Sequence, residues 1–274
     1  MGVGMQEVAG KVAVVTGGGS GIGRGMVHAF MGAGMDIVIG DVDRKAAEAV
    51  AGEVRAAGRR ALALTVDVSD WESMQVFSDA AYNEFEAVHV LCNNAGVLVA
   101  GPILDMRVDD WRWLFDVNVF GVIHGIHAFV PRMRDEGGEA HVVNTGSVAG
   151  FTSGGGYVPI YSATKNAVVA ISEALRIECE PMGIGVSVLC PSAVNTKILE
   201  AQRNRPDAFG AAAAEPLGRL ITGGTDPDVI GARVLRAVLD NEQWIFPHPD
   251  TLTGMATRFE NILAAVEAQK AAPT

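Results

Sequence analysis

The chain is short of cysteine, of positive charge and of any long apolar run, and each shortage removes a class of function. Its three cysteines, Cys92, Cys179 and Cys190, stand far apart with no Cys-x-x-Cys pair, so neither a zinc site nor a disulfide framework can be written from them. They read as buried thiols of a reducing compartment. Lysine and arginine total 21 against 32 aspartates and glutamates, a net charge of -11, whereas a nucleic-acid backbone demands a concentrated basic surface. Nucleic acid is therefore not an expected partner. Met1 to Gly10 lacks the basic start and apolar core of a signal peptide, and no later apolar stretch approaches the ~20 residues of a membrane span. The expectation is a cytoplasmic protein with no membrane partner. His124 and His127 lie one helical turn apart, but no third ligand accompanies them and no metal site is expected.

What the chain has is enough apolar material for one large core: 49% of its 274 residues are hydrophobic, near the upper size at which one core serves one domain. Residues 1–10 read as a flexible prefix and residues 11–274 as a single domain. From Lys11, short runs rich in valine and isoleucine alternate with longer amphipathic stretches, the rhythm of strand-helix units that build a parallel sheet. The fold class is α/β, a doubly wound Rossmann-type parallel sheet of about seven strands with helices on both faces. Strands are expected at 12–15, 37–39, 61–65, 88–92, 141–144, 186–189 and 244–246. Helices are expected near 22–31, 44–57, 71–85, 109–133, 162–180 and 228–239, with a last one after Pro249. Asp70 and the Asp226-Pro227 pair are helix-start signals. Only 200–225 breaks the rhythm, mixing Arg203, Asn204, Arg205 and Pro206 with an alanine run and a Gly223-Gly224 exit. A long irregular insert of this kind predicts a substrate lid, with a solvated surface helix as the plainer alternative.

Thr16-Gly17-Gly18-Gly19-Ser20-Gly21-Ile22-Gly23 falls between the first strand and the first helix. Glycines there permit positive φ and close backbone approach to a pyrophosphate seated on helix N-terminal amides. Asp41 closes the second strand, where an acid accepts hydrogen bonds from adenosine ribose hydroxyls and repels a 2′-phosphate. The cofactor expected is NAD rather than NADP. Arg44 and Lys45 are the cations that could oppose this preference, and Asp41 could instead serve as a cap.

Tyr161 and Lys165 are four residues apart on one helical face, so phenol and ammonium can share a site. A nearby cation stabilises a phenolate, which makes Tyr161 a candidate general acid/base. Ser147 emerges at the carboxyl end of the strand at 141–144, where open α/β sheets place ligands. Tyr157 looks like a decoy, since the residue four places on is another tyrosine rather than a cation.

Taken in order, these motifs resemble the short-chain dehydrogenases/reductases, from about Lys11 to the final helix. The matches are Thr-Gly-x-x-x-Gly-x-Gly at 16–23, the second-strand acid Asp41, Asp67-Val68, Asn-Asn-Ala-Gly at 93–96, Asn118 in Asn-Val-Phe-Gly, Ser147, and Tyr-x-x-x-Lys at 161–165. The resemblance implies hydride transfer between a nicotinamide cofactor and an alcohol or carbonyl substrate. By it, Tyr161 donates or accepts the proton, Ser147 holds the substrate oxygen, Lys165 lowers the Tyr161 pKa and holds the nicotinamide ribose, and Asn118 holds a relay water. It further places Gly17, Ser20, Gly21, Ile22 and Gly23 at the pyrophosphate and Asp41 at the ribose. Asp67 and Val68 fall at the adenine, Asn94, Ala95 and Gly96 along the cofactor, and Val194 and Thr196 near the nicotinamide amide and phosphates.

Two departures stand out: Pro191-Ser192 replaces the family's usual Pro-Gly, and the loop from Ser147 to Tyr161 is one residue longer than common. Family loop positions imply an apolar substrate pocket of Val97, Leu98, Val99, Phe151, Val158, Ala193, Leu199 and Phe209, suited to a secondary alcohol or ketone on an apolar or aromatic skeleton. The stretch 183–210 and the ending Trp244-Ile-Phe-Pro247 look similar to enzymes that oxidise benzylic carbinols of lignin-type aryl ethers. The family also implies a homotetramer, with which the apolar helix positions Phe115, Val119, Val122 and Ile126 are compatible if they do not pack on the parent sheet. Competing readings are a catalytically idle dinucleotide-binding sensor or scaffold, and a sugar-nucleotide epimerase or dehydratase, whose glycine spacing and larger substrate domain do not fit.

Overall fold

In the computed structural model, which describes residues 5–152, 156–210, 223–249 and 253–271, the valine-rich runs pair into one parallel sheet of seven strands, ordered β3-β2-β1-β4-β5-β6-β7. The strands are β1 Val12–Thr16, β2 Asp36–Asp41, β3 Ala61–Thr65, β4 Val90–Asn93, β5 Ala140–Thr145, β6 Ile184–Leu189 and β7 Trp244–Ile245. Every residue of β1, β4 and β5 is buried, as it must be when helices cover both faces. The twofold period of a strand divides them. Ala13 and Val15 join Ile37 and Ile39 under α1 Gly21–Gly32, α2 Arg44–Ala56 and α7 Pro227–Asp240. Val12 and Val14 join Val38 and Leu91 under α3 Trp71–Phe85, α5 Gly121–Glu136 and α6 Pro159–Cys179. Apart from the helix expected at 109–133, the expected strands and helices are present with ends moved by a few residues.

Helix starts separate into two kinds. Asp43, Asp70 and Asp226 each accept hydrogen bonds from the first backbone amides of α2, α3 and α7. At α1 the corresponding Ser20 makes no such bond, and no acid stands in the first turn. The amides that open α1 thus keep their positive ends for something else.

α1 and α7 meet backbone to backbone. A Cβ on Gly25 would collide with the carbonyl of Pro227, and one on Gly231 with the carbonyl of Gly25, so both contacts require glycine.

Three expectations are corrected. The prefix is not loose throughout: Met5 and Val8 are buried in the core beside α1 and the Gly10 amide donates to the Gly34 carbonyl at 2.9 Å, while residues 1–4 lie outside the described residues. The expected helix at 109–133 is two helices, α4 Val108–Phe115 and α5, fused through a π turn at Asp116–Phe120. The fused run, Val108–Glu136, is long and apolar enough by length and composition to cross a membrane, contrary to the expectation that no stretch approaches that length, and half of its most apolar window is buried in the chain. Of the two packings open to the apolar helix positions, the structure takes one: Val119 and Val122 are buried and Phe115 and Ile126 pack against the core, so these four face the parent chain.

Between β5 and β6 the core holds a histidine. His141 Nε2 lies 2.7 Å from Ser187 Oγ, and that hydroxyl donates onward to the Glu242 carbonyl, so Nε2 carries the hydrogen. Burial, helped by Arg176, pushes the His141 pKa down from 6.5 to about 3. Because the folded value is depressed, the unfolded chain takes up this proton first. Folding stability should be complete above pH 6.5 and fall by about 1.4 kcal/mol per pH unit as the pH drops toward 3. Urea titrations of wild type and His141→Gln at pH 7, 6, 5 and 4 check this: the variant should lose most of the excess slope, and equal slopes would dismiss the buried neutral imidazole as its cause.

Candidate active site

The carboxyl ends of β1, β2, β4, β5 and β6 open into one cavity of about 610 Å³, at the switch point where strand order reverses between β1 and β4. At one end Gly17, Ser20, Gly21 and Ile22 line the wall with Asp41, Asp67 and Val68. Gly17 and Gly21 have positive φ, 64° and 52°, and a Cβ on Gly21 would stand 3.0 Å from the Thr196 methyl across the cleft. The missing side chain leaves the uncapped α1 amides open to a ligand.

Asp41 is fixed by its own loop. Its Oδ2 accepts from the Gly19 amide at 2.9 Å and its Oδ1 from the Asp43 amide at 2.9 Å. Burial raises its carboxyl pKa, against these two amides and the charge of Arg203, which lower it. Arg44 and Lys45 are exposed and do not line the cavity.

Gly23 is the exception among the loop positions. It does not line the cavity, and a Cβ there would collide with the Gly17 carbonyl; its part is to let α1 close against the loop. Asn94 braces the same turn, with Nδ2 donating to the Thr16 carbonyl at 3.0 Å while its backbone amide donates to Thr16 Oγ1 at 3.0 Å. Val68 is held from behind by His124, whose Nδ1 donates to the Val68 carbonyl at 2.9 Å.

The inner end carries Ser147, Tyr161 and Lys165, all lining the cavity with Asn94, Ala95, Gly96 and Val194. Tyr161 and Lys165 sit on the first turns of α6, and Ser147 caps the 3-10 turn Val148–Phe151 that follows β5. Ser147 Oγ donates to the Pro191 carbonyl at 3.3 Å and accepts from the Ala149 amide at 3.1 Å. The Lys165 ammonium is buried and donates to the Thr145 carbonyl at 2.7 Å, 5.5 Å from the Tyr161 ring centre. Burial holds Tyr161 up at about 12, with the Ser147 hydroxyl pulling it down, and pushes Lys165 down to about 8. In the ligand-free site the Ser147 hydroxyl is the group that pulls the phenol down, and the Lys165 ammonium stands 5.5 Å from the ring centre.

Asn118 is reached from below. It sits in the π turn, a distortion that recurs at functional sites, but it does not line the cavity. Its Oδ1 accepts from the Val97 amide at 2.8 Å, and its Nδ2 donates to the Val97 carbonyl at 2.9 Å and to Thr164 Oγ1 at 3.1 Å. With both amide hydrogens engaged, the side chain ties the 94–97 turn to α6.

Of the pocket residues expected by position, Val97, Leu98, Val158 and Ala193 line the cavity. Val99 is buried behind Trp113 and Ile160, Phe151 packs with Trp244 and Phe246, and Leu199 and Phe209 are not on the wall. Sequence reading missed Trp113, Val117, Ile198 and Ala201, which are there, and it dismissed Tyr157, which is also there. It also missed His248, whose Nδ1 accepts the Ser192 amide at 3.2 Å while Nε2 faces Thr225 Oγ1 at 2.7 Å. That contact fixes the backbone where Ser192 departs from the family's glycine. Nothing in the local sequence around Pro247 marks it.

The predicted lid is partly visible. Lys197–Asn204 and Asp207–Phe209 form 3-10 turns, residues 211–222 lie outside the described residues, and the exit returns beside the entry, with Asn195 and Thr225 joined at 2.9 Å.

A short chain dehydrogenase family model matches residues 11–207. The chain belongs to that family of oxidoreductases. It is 34% identical to the C alpha-dehydrogenase of Sphingobium sp. strain SYK-6 over 98% of this chain and 90% of that protein. It is 32% identical to the 1-deoxy-11-beta-hydroxypentalenate dehydrogenase of Streptomyces exfoliatus, over 92% and 88%. A crystal structure of a short chain dehydrogenase/reductase from Burkholderia phymatum in complex with NAD superposes with a TM-score of 0.90 at 36% identity, covering 95% of this chain and 97% of that one.

Proposed function

We propose that this short-chain dehydrogenase interconverts a secondary alcohol and a ketone on an apolar or aromatic skeleton, with NAD(H) as its cofactor. One observation carries the reading: Ser147, Tyr161 and Lys165 line one end of the cavity whose other end is an uncapped helix N-terminus beside Asp41. The cleft fits a dinucleotide, since glycine at 17 and 21 leaves the α1 amides bare and Asp41 presents a fixed carboxylate. Gly17, Ser20, Gly21 and Ile22 would hold the pyrophosphate and Asp41 the adenosine ribose. Asp67 and Val68 would hold the adenine, Asn94 to Gly96 the middle, and Tyr161, Lys165, Val194 and Thr196 the nicotinamide half. When bound, the cofactor supplies the hydride acceptor or donor.

The chain's own groups handle the proton. In oxidation, Ser147 orients the alcohol oxygen and the Tyr161 phenolate takes its proton as hydride leaves the carbon; in reduction the phenol returns it. Lys165, once protonated beside a developing phenolate, lowers the cost of that charge in a buried place. Trp113, Val117, Val158 and Ile198 exclude water and favour an apolar substrate body. The similarity to a C alpha-dehydrogenase supports a carbinol substrate, of which a benzylic one is our choice. We further propose a cytoplasmic homo-oligomer, a tetramer by family resemblance, for which Val108, Phe120 and Leu104 are exposed apolar contacts.

The test is steady-state turnover with NAD and with NADP against a panel of benzylic, alicyclic and short aliphatic secondary alcohols. NADH formation with a benzylic or alicyclic carbinol, faster than with 2-propanol, is the expected result. Absence of turnover with every alcohol and ketone, in a protein that binds NADH, would convert the reading to an idle sensor.

A further inference from the structure

The segment that follows Thr196 is fastened at one point and presents a cation at another. The fastening is Arg205. It forms an ion pair of 2.8 Å with Asp110 of α4, with side chains 4% and 0% exposed, and its Nε and Nη2 donate to the Gly210 and Phe209 carbonyls at 2.6 and 3.1 Å. Its guanidinium also lies 5.0 Å from the centre of the Trp113 ring. Asp110 is held in turn by the Arg107 amide at 2.9 Å. The pair is a charge contact that leaves Asp110 Oδ1 and Arg205 Nη1 without a hydrogen-bond partner among the described residues, and separating it would strand charge in the interior.

Two residues earlier the setting is reversed. Arg203 is exposed, rests one nitrogen on the Lys197 carbonyl at 2.9 Å, and lines the cavity. It faces the same space as Asp41 and the glycine loop, and its charge acts on the Asp41 carboxylate. Among the described lining residues the cations are Lys165, Lys197 and Arg203. Lys165 is committed to Thr145 at the inner end. The glycine-loop wall supplies amides and carboxylates but no cation, so a full countercharge to add to the α1 amides comes from the segment opposite, which carries Lys197 and Arg203. Guanidinium suits phosphate, offering paired donors in one plane.

We propose that Arg203 is a phosphate clasp for the nicotinamide dinucleotide, carried on a segment that pivots about the buried Asp110-Arg205 pair. In the ligand-free chain Arg203 shares the field of Asp41; on binding it turns to a phosphate oxygen, covering the cleft from the side the glycine loop leaves open. The inference rests on the NAD(H) reading above and adds a residue to it that lies outside the glycine loop, the Asp41 position and the Tyr-x-x-x-Lys pair.

Fluorescence titration of NADH and NADPH into wild type, Arg203→Ala and Arg203→Lys at two salt concentrations tests it without any turnover. Arg203→Ala should weaken binding roughly tenfold, the loss of one charge-assisted contact, with a shallower dependence on salt, and Arg203→Lys should recover part of that. Equal losses for both cofactors identify the shared pyrophosphate as the ligand; a loss confined to NADPH identifies its 2′-phosphate. Arg203 is on the surface, so the variants should melt with the wild type, and a calorimetric scan verifies that. Wild-type affinity for both cofactors in Arg203→Ala would overturn the clasp and leave the NAD(H) reading standing. A wild type that binds neither cofactor would overturn both.

Discussion

Replacing Tyr161 with Phe is expected to cut turnover by ~10²–10⁴ while NADH affinity stays within about twofold, the size of effect an acid/base group accounts for. The ring packs against the cluster of Val97, Trp113 and Leu114, and phenylalanine keeps that contact. What disappears is the phenol oxygen that shares the cavity with Ser147 and Lys165. The phenol and Lys165 dictate a pH signature. With the phenol held up at about 12 and Lys165 at about 8 in the free enzyme, alcohol oxidation needs a proton to leave the phenol, so its kcat/KM should climb with pH across 6 to 9. Carbonyl reduction needs the phenol protonated and should not climb over that range. Initial rates in both directions from pH 6 to 9, for wild type and Tyr161→Phe, decide the matter. Near-normal turnover by the variant would remove Tyr161 from the chemistry.

On the NAD(H) reading proposed above, wild type should favour NAD over NADP, and Asp41→Ala should lower that ratio of kcat/KM values by about 10²-fold. The carboxylate cannot turn away from a 2′-phosphate, because both its oxygens are engaged by Gly19 and Asp43 amides. Two anions about 4 Å apart near a protein surface repel by about 4 kcal/mol, which leaves room for an effect of this size after screening. Arg44 and Lys45 do not line the cavity, and the cation whose charge acts on Asp41 is Arg203. The double variant Asp41→Ala, Arg203→Ala should therefore accept NADP less well than Asp41→Ala alone. A wild type that prefers NADP would show that the cleft's cation outweighs its acid.

Much of this was legible before any coordinates. Valine runs such as 12–15 and 186–189 announce buried parallel strands because strands covered on both faces need apolar residues at every position. Glycine motifs betray themselves because their backbone demands are local, and Asp41 and Ser147 because a strand's carboxyl end is a place, whatever follows it. What stayed hidden depends on direction across the fold. Phe151 and Val99 lie in the right loops but turn into the core, while Trp113 and Ala201 reach the cavity from a helix and an insert whose sequences carry no mark of it. The π turn at Asp116–Phe120 was invisible to a 3.6-residue period, since one extra residue shifts the register without changing composition. His248 was missed because its partner, Ser192, is 56 residues away.

The glycine contact between α1 and α7 has a bearing on inheritance. Gly25 and Gly231 touch nothing that binds or reacts, yet each is the only residue its neighbour's backbone tolerates. α1 begins at the cofactor loop, so a methyl group added at either position would tilt the very amides that a phosphate is meant to find. Drift in this protein is thus constrained at two sites remote from its chemistry, and a damaging variant there would present as weakened cofactor affinity in a folded enzyme, far from any residue a chemist would suspect.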